Sequence, residues 1–133
     1  MTQVEPQDVR FVFATQRPRE DGCGGFVLQM LTGVPYDEIA RRLGWTADSV
    51  HYSSWDEMRK VLTGLDWPFD EPVPARSWDE VHGLAIVHVR DDHFMLYDGE
   101  NGLFYDPGEL SGPQPASARV PIAFMAVRPP QWP

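Results

Sequence analysis

The apolar positions of this chain change period once, near residue 84. Upstream they recur at helical spacing. Phe26 with Met30, and Val27 with Leu31, are i,i+4 pairs. The run they belong to is apolar nearly all round, as for a central, buried helix; it should start near Cys23 and stop at Gly33. Behind Pro35, residues Tyr36, Ile39, Ala40 and Leu43 fall at i, i+3, i+4 and i+7, and Gly44 ends that second helix. Ser54-Trp55-Asp56-Glu57 spaces a serine and a glutamate as a capping box does. The helix behind it carries Met58, Val61 and Leu62 on one face and closes at Gly64. Ser77-Trp78-Asp79-Glu80 repeats the box and predicts one helical turn before Gly83.

Downstream the pattern is that of strands. Residues 84–89 form a near-continuous apolar run, as for a strand buried on both faces. A strand over 93–97 follows the tight loop Arg90-Asp91-Asp92, and further strands are predicted over 103–106 and 120–127. Asp98-Gly99 and Asn101-Gly102 are hairpin turn signals. Near the start, residues 10–15 have the β-branched and aromatic content of a short strand. Residues 45–53 and 107–118 read as loops, and 66–76, with Pro68, Pro72 and Pro74, as an extended crossing segment. Helices first and antiparallel strands second imply an α+β fold with segregated halves, one domain over 1–133, with 1–9 and 128–133 as loose arms.

Composition narrows the classes of function. The chain has 133 residues, is 42% hydrophobic and carries a formal charge of −9 from 11 basic and 20 acidic residues. Such a chain is globular rather than disordered. It has no basic stripe to neutralise phosphates, so nucleic acid is disfavoured as a partner. No stretch approaches the ~20 apolar residues of a membrane span. The N-terminus lacks the charged and apolar regions of a signal peptide. The single cysteine has no internal disulfide partner, which makes the reducing cytoplasm the expected compartment.

That cysteine sits in the most telling stretch, Gln16-Arg17-Pro18-Arg19-Glu20-Asp21-Gly22-Cys23-Gly24-Gly25. A thiol at a helix N-terminus feels the positive end of the helix dipole and becomes a thiolate more readily. The flanking glycines leave room for a substrate backbone. The competing reading is a buried structural cysteine, packed as a small hydrophobe. Of the four histidines, His51 lies in a loop and His82 ends a helical turn, both solvated; His88 lies inside a buried strand as a core histidine. His93 opens a strand beside a loop, where its ring is both held and reachable, though a plain surface strand end is the alternative.

Register supplies an independent argument. With Gly99 and Gly102 flanking the turn, residue 95 pairs with 106 and 93 with 108; a turn centred on Asn101-Gly102 pairs 97 with 106 instead. Either way His93 and Asp106 share a face, whereas a one-residue slip separates them. Asp106 is then placed to fix the imidazole tautomer and leave the other ring nitrogen for the thiol. Its alternative is turn chemistry, because Asp-Pro-Gly is an ordinary turn. Gln16 is a candidate side-chain donor to an oxyanion, beside the Cys23 N–H, or else a plain loop glutamine. Asp21 is a candidate N-cap for the first helix.

In order, Gln16, Asp21-Gly22-Cys23-Gly24, Ala85-Ile86-Val87-His88-Val89, His93-Phe94-Met95-Leu96 and Tyr105-Asp106-Pro107 resemble the motifs of papain-like cysteine peptidases. Within that family the likeness is to the bacterial branch that removes double-glycine leaders from secreted peptides. It spans residues 16–107. The resemblance implies a helical half carrying the cysteine, a sheet half carrying the histidine, and a cleft between them. It implies Cys23 as nucleophile, His93 as base, Asp106 as orienting residue, Gln16 as oxyanion donor and His88 as non-catalytic. The family usually reads Asp-Cys-Gly; here Gly22 intervenes and lengthens the Gln-to-Cys step by one residue.

The leading expectation is therefore thiol-dependent hydrolysis of a peptide or other amide bond in a peptide or protein substrate, with no metal or cofactor. The same three groups also serve deamidation, transglutamination or acyl transfer on a partner protein, since each passes through an acyl-enzyme. A third reading, favoured by the extra glycine, is a catalytically inactive peptide-binding module on the same scaffold.

Overall fold

The computed structural model describes residues 4–17, 21–46 and 53–130. Among these, three α-helices precede a five-stranded antiparallel sheet, an α+β arrangement. Helix α1 spans Cys23–Thr32, α2 Tyr36–Leu43 and α3 Trp55–Gly64. Strands β1 (Val73–Pro74), β2 (Leu84–Val89), β3 (His93–Asp98), β4 (Leu103–Tyr105) and β5 (Pro121–Ala126) pair in the order β1-β5-β2-β3-β4.

The helix ends follow local chemistry. Gly33 and Gly44 take left-handed φ values of 79° and 74° behind α1 and α2, the conformation that glycine adopts without strain. The Ser54 hydroxyl accepts the Glu57 N–H at 3.3 Å, so Ser54 caps α3 as the first predicted box requires, and the Glu57 carboxylate accepts the Ser54 hydroxyl at 3.1 Å. Helix α3 includes Gly64 and hands over to Leu65. The second box does not form: residues Trp78–Glu80 are one 3-10 turn without a side-chain cap, and the Glu80 carboxylate accepts the Arg76 N–H instead.

Helix α1 packs on β3. Val27, Leu28, Met30 and Leu31 meet Leu84, Ile86, Phe94, Leu96 and Tyr105, with Ile39, Met58, Val61 and Leu62 behind them. The opposite sheet face, with Ala85, Val87, Val89, Met95 and Phe104, lies under Ala75, Trp78 and Val81. Strand β2 is thus buried on both faces, as its apolar run predicts. The exception is His88, which is half-buried rather than enclosed, its ring stacked on Phe94 at 4.7 Å.

The β3–β4 register is Leu96↔Tyr105, Tyr97↔Phe104 and Asp98↔Leu103. This is the register expected from Gly99 and Gly102 flanking the turn. Strand β4 ends at Tyr105, so Asp106 stands just beyond the ladder. The crossing segment 66–76 contributes the edge strand β1, paired with β5.

Residues 10–15 are not a strand. They pair with no strand, and Phe11, Phe13 and Ala14 pack on the core instead. Long-range bonds fasten this segment: Arg10 makes two hydrogen bonds to Asp98, at 2.8 and 2.7 Å, and the Gln16 N–H donates to the Pro107 carbonyl at 2.8 Å. The arms are also tied where they are described. Val4 and Val9 pack against the core, and the Arg128 N–H bonds the Pro68 carbonyl. Among the described residues no helix is long and apolar enough to cross a membrane.

Candidate active site

Gly22 sets the approach to the cysteine. It is the N-cap residue of α1, at a left-handed φ of 76°, and the first-turn N–H of Gly24 is met by the Ser53 hydroxyl. The N-cap position expected for Asp21 is thus taken by Gly22. A methyl group on Gly22 would lie 2.5 Å from the Tyr36 hydroxyl, so both its conformation and its space demand glycine. Gly22 is thus the residue that turns the chain into α1. Cys23 follows as the first helical residue, its side chain buried.

Three groups close on the sulfur. The backbone N–H of Phe94, from β3, donates to Sγ at 3.4 Å. The Ser53 hydroxyl lies 4.0 Å from Sγ while accepting the Gly24 N–H at 2.8 Å. Because its oxygen is engaged by that N–H, the hydroxyl proton is free to turn toward the sulfur. The His93 imidazole is the third. Burial pushes the Cys23 thiol up, but hydrogen bonding to His93, the Phe94 N–H, the His93 charge and Ser53 together bring it below its ordinary value.

His93 is the first residue of β3, and its Nε2 lies 2.6 Å from Asp106 Oδ1. Nδ1 is left for the sulfur. Burial pulls the imidazole down; the Asp106 and Cys23 hydrogen bonds and charges outweigh it, and His93 ends above its usual value. Asp106 is buried, which disfavours its charge, yet it is held at about 2 by the His93 bond, by Arg119 and by the Gly108 N–H. Its Oδ1 accepts the Gly108 N–H at 2.8 Å, and its Oδ2 accepts Arg119 Nε–H at 2.8 Å. A thiol drawn down and an imidazole drawn up favour a thiolate–imidazolium pair, the reactive form of such a site.

Comparison of the chain with protein-family models, curated proteins and solved structures returns no match.

The geometry stands on this chain's own residues. Gln16, Cys23 and His93 line one cleft of about 270 Å³, with Arg17, Asp21, Gly22, Asp91, Asp92, Gly108 and Arg119 around it. Gln16 is buried at its wall. The four residues singled out from sequence are thus brought together: Gln16, Cys23 and His93 on the cleft, and Asp106 directly behind His93. His82 is exposed and His88 faces Phe94 and Trp55. His51 lies outside the described residues. Trp45, Trp55 and Trp78 are half-buried in packing contacts, and none lines this cleft. Among the described residues no group of three or more His, Cys, Asp or Glu is placed to hold a metal ion.

Sequence reasoning missed Ser53, the Phe94 N–H and Arg119. Ser53 and Phe94 carry no local signal of contact with Cys23. Arg119 does carry one: it is the only Lys or Arg between residues 91 and 127, set in a stretch of small and polar residues.

Proposed function

We propose that this protein is a cysteine hydrolase of the papain-like type, acting on a peptide or other amide carbonyl through Cys23, His93 and Asp106. One observation carries the reading: the buried line from Cys23 through His93 to Asp106, open to a cleft at its sulfur end and closed by a 2.6 Å contact at its carboxylate end.

In this mechanism the Cys23 thiolate attacks the substrate carbonyl. The developing oxyanion meets the Cys23 backbone N–H, which has no carbonyl to bond within the first helical turn, and the Gln16 side chain. The His93 imidazolium gives its proton to the departing amine, leaving a thioester on Cys23. His93, now neutral, takes a proton from water as the water attacks the thioester. The free acid leaves and the thiolate–imidazolium pair is restored. Asp106 holds the ring in the tautomer that both steps need and stabilises its charged form. A nucleophile that works as a thiolate belongs in reducing surroundings, in keeping with a cytoplasmic setting.

The test is the rate of Cys23 alkylation by iodoacetamide against pH, in the native protein and in His93→Ala. Rapid labelling that extends well below pH ~7 and is lost in the variant is the expected result. Labelling that rises only near pH ~8.5 in both proteins sinks the proposal. Mass spectrometry of a treated peptide mixture then identifies the reaction, since backbone cleavage, deamidation and cross-linking change mass differently.

A further inference from the structure

Asp106 has an outer oxygen that faces away from His93. On that side lies a second and larger cavity of about 570 Å³, lined by Asp106, Arg119, Arg90, Phe104, Ser117 and Gln114 among others. A catalytic carboxylate open to a cavity of that size would trade its histidine for water. Arg119 stands at the boundary, since it lines both this cavity and the catalytic cleft.

We infer that Arg119 is a positioning residue for the proposed reaction: its guanidinium caps the outer oxygen of Asp106 and so keeps the carboxylate aimed at His93. The geometry is specific. Arg119 Nε–H meets Oδ2 at 2.8 Å while His93 and the Gly108 N–H share Oδ1 at 2.6 and 2.8 Å, so the two carboxylate oxygens are separately pinned. Rotation about the Asp106 side chain would break all three bonds at once.

The base from which Arg119 reaches is itself fixed. Trp78 Nε1–H donates to the Arg119 carbonyl at 2.8 Å, and the Arg119 N–H donates to the Ser117 hydroxyl at 3.1 Å. The Arg90 N–H bonds the next carbonyl, that of Val120, at 3.0 Å. A long, flexible side chain loses much entropy when held in one pose; anchoring its main chain on three sides limits the poses it can take. Space is shaped to the same end. A Cβ on Gly108 would sit 2.7 Å from Arg119 Nη2 and 3.2 Å from both Asp106 Oδ1 and His93 Cε1, so the absence of a side chain there lets these groups converge.

The guanidinium also brings a positive charge to the cleft that Cys23 lines. Its removal should loosen His93 and disfavour the thiolate, both of which move the acid limb of Cys23 reactivity to higher pH.

This inference rests on the thiolate reading above, and its test separates the two. Iodoacetamide labelling of Cys23 is followed against pH in the native protein, Arg119→Met and Arg119→Lys, with folding checked by circular dichroism and urea melts. On the acid limb Arg119→Met should label about tenfold more slowly, a shift of about one pH unit. Arg119→Lys keeps charge and bulk but lacks the Nε edge, and should be slowed by about threefold. Methylguanidinium should restore the rate in Arg119→Ala. A native profile in either folded variant overturns the assignment, even if stability falls. An unactivated thiol in the native protein removes the thiolate reading itself.

Discussion

Replacing Asp106 by asparagine probes the site where its energetics are best defined. The carboxyl is lowered from 3.8 to about 2 in the folded protein. At about 1.4 kcal/mol per pH unit, that depression is worth about 2 kcal/mol of folding stability. Asparagine imitates the protonated acid in shape and neutrality, so it should forfeit a similar amount. The three neighbours of the carboxylate are Nε2–H of His93, the Gly108 N–H and Arg119 Nε–H, all donors. Whichever way the amide is turned, its NH2 faces one of them, which raises the expected loss toward about 3 kcal/mol. The sign with pH follows from the depressed folded value. The stabilisation is fully present above the unfolded value near 4, falls to about half near pH 3 and is gone below about 2. Paired urea melts of the native protein and Asp106→Asn at pH ~7, ~5, ~4 and ~3 measure it. The gap in stability should be near its full size at pH ~5 and shrink below it. A gap that keeps its full size at pH ~3, or none at pH ~7, refutes the claim that an ionised carboxylate is what the site holds.

Ser53→Ala removes the acceptor of the Gly24 N–H and the hydroxyl beside Sγ; it should cost about 1 kcal/mol in a urea melt and move the Cys23 labelling profile to higher pH. Gly22→Ala forces a left-handed alanine against the Tyr36 hydroxyl and should lose about 2 kcal/mol; adding Tyr36→Phe should recover the steric part only, as a double-mutant cycle will read. Arg10→Ala strands the fully buried Asp98 carboxylate, left with Asn101 as its remaining side-chain partner, and should lower stability by about 3 kcal/mol at neutral pH.

The parts of this site that were legible in the sequence are those fixed by short-range chemistry. Glycines flanking the 99–102 turn set one register, and that register carries His93 and Asp106 to the same face at a fixed offset. The apolar run after Cys23 placed the thiol at a helix start, and Gly33 and Gly44 ended the first two helices where expected. What was not legible depended on partners distant in sequence. Residues 10–15 have strand composition, but a strand also needs an edge to pair with, and this segment is held instead by Arg10 and side-chain packing. Asp21 has the chemistry of a cap, yet Gly22 takes the N-cap position because the chain must turn left-handed there. Ser77 and Glu80 have the spacing of a capping box, but the Glu80 carboxylate turns to the Arg76 N–H. Arg119 meets Asp106 across 13 residues of loop that follow no periodic rule.

Cys23 and Phe94 lie 71 residues apart, joined by the Phe94 N–H bond to Sγ. The reactive group therefore does not exist in any fragment of the chain. On the proposed reading, Cys23 is an ordinary thiol until β3 brings the Phe94 N–H and His93 to it. The proposed reactivity would then report on helix–sheet docking. Pulsed thiol labelling during refolding at pH ~6 should show a cysteine that starts inert and switches on in step with helix–sheet docking, the reverse of the usual pattern in which folding protects a buried thiol.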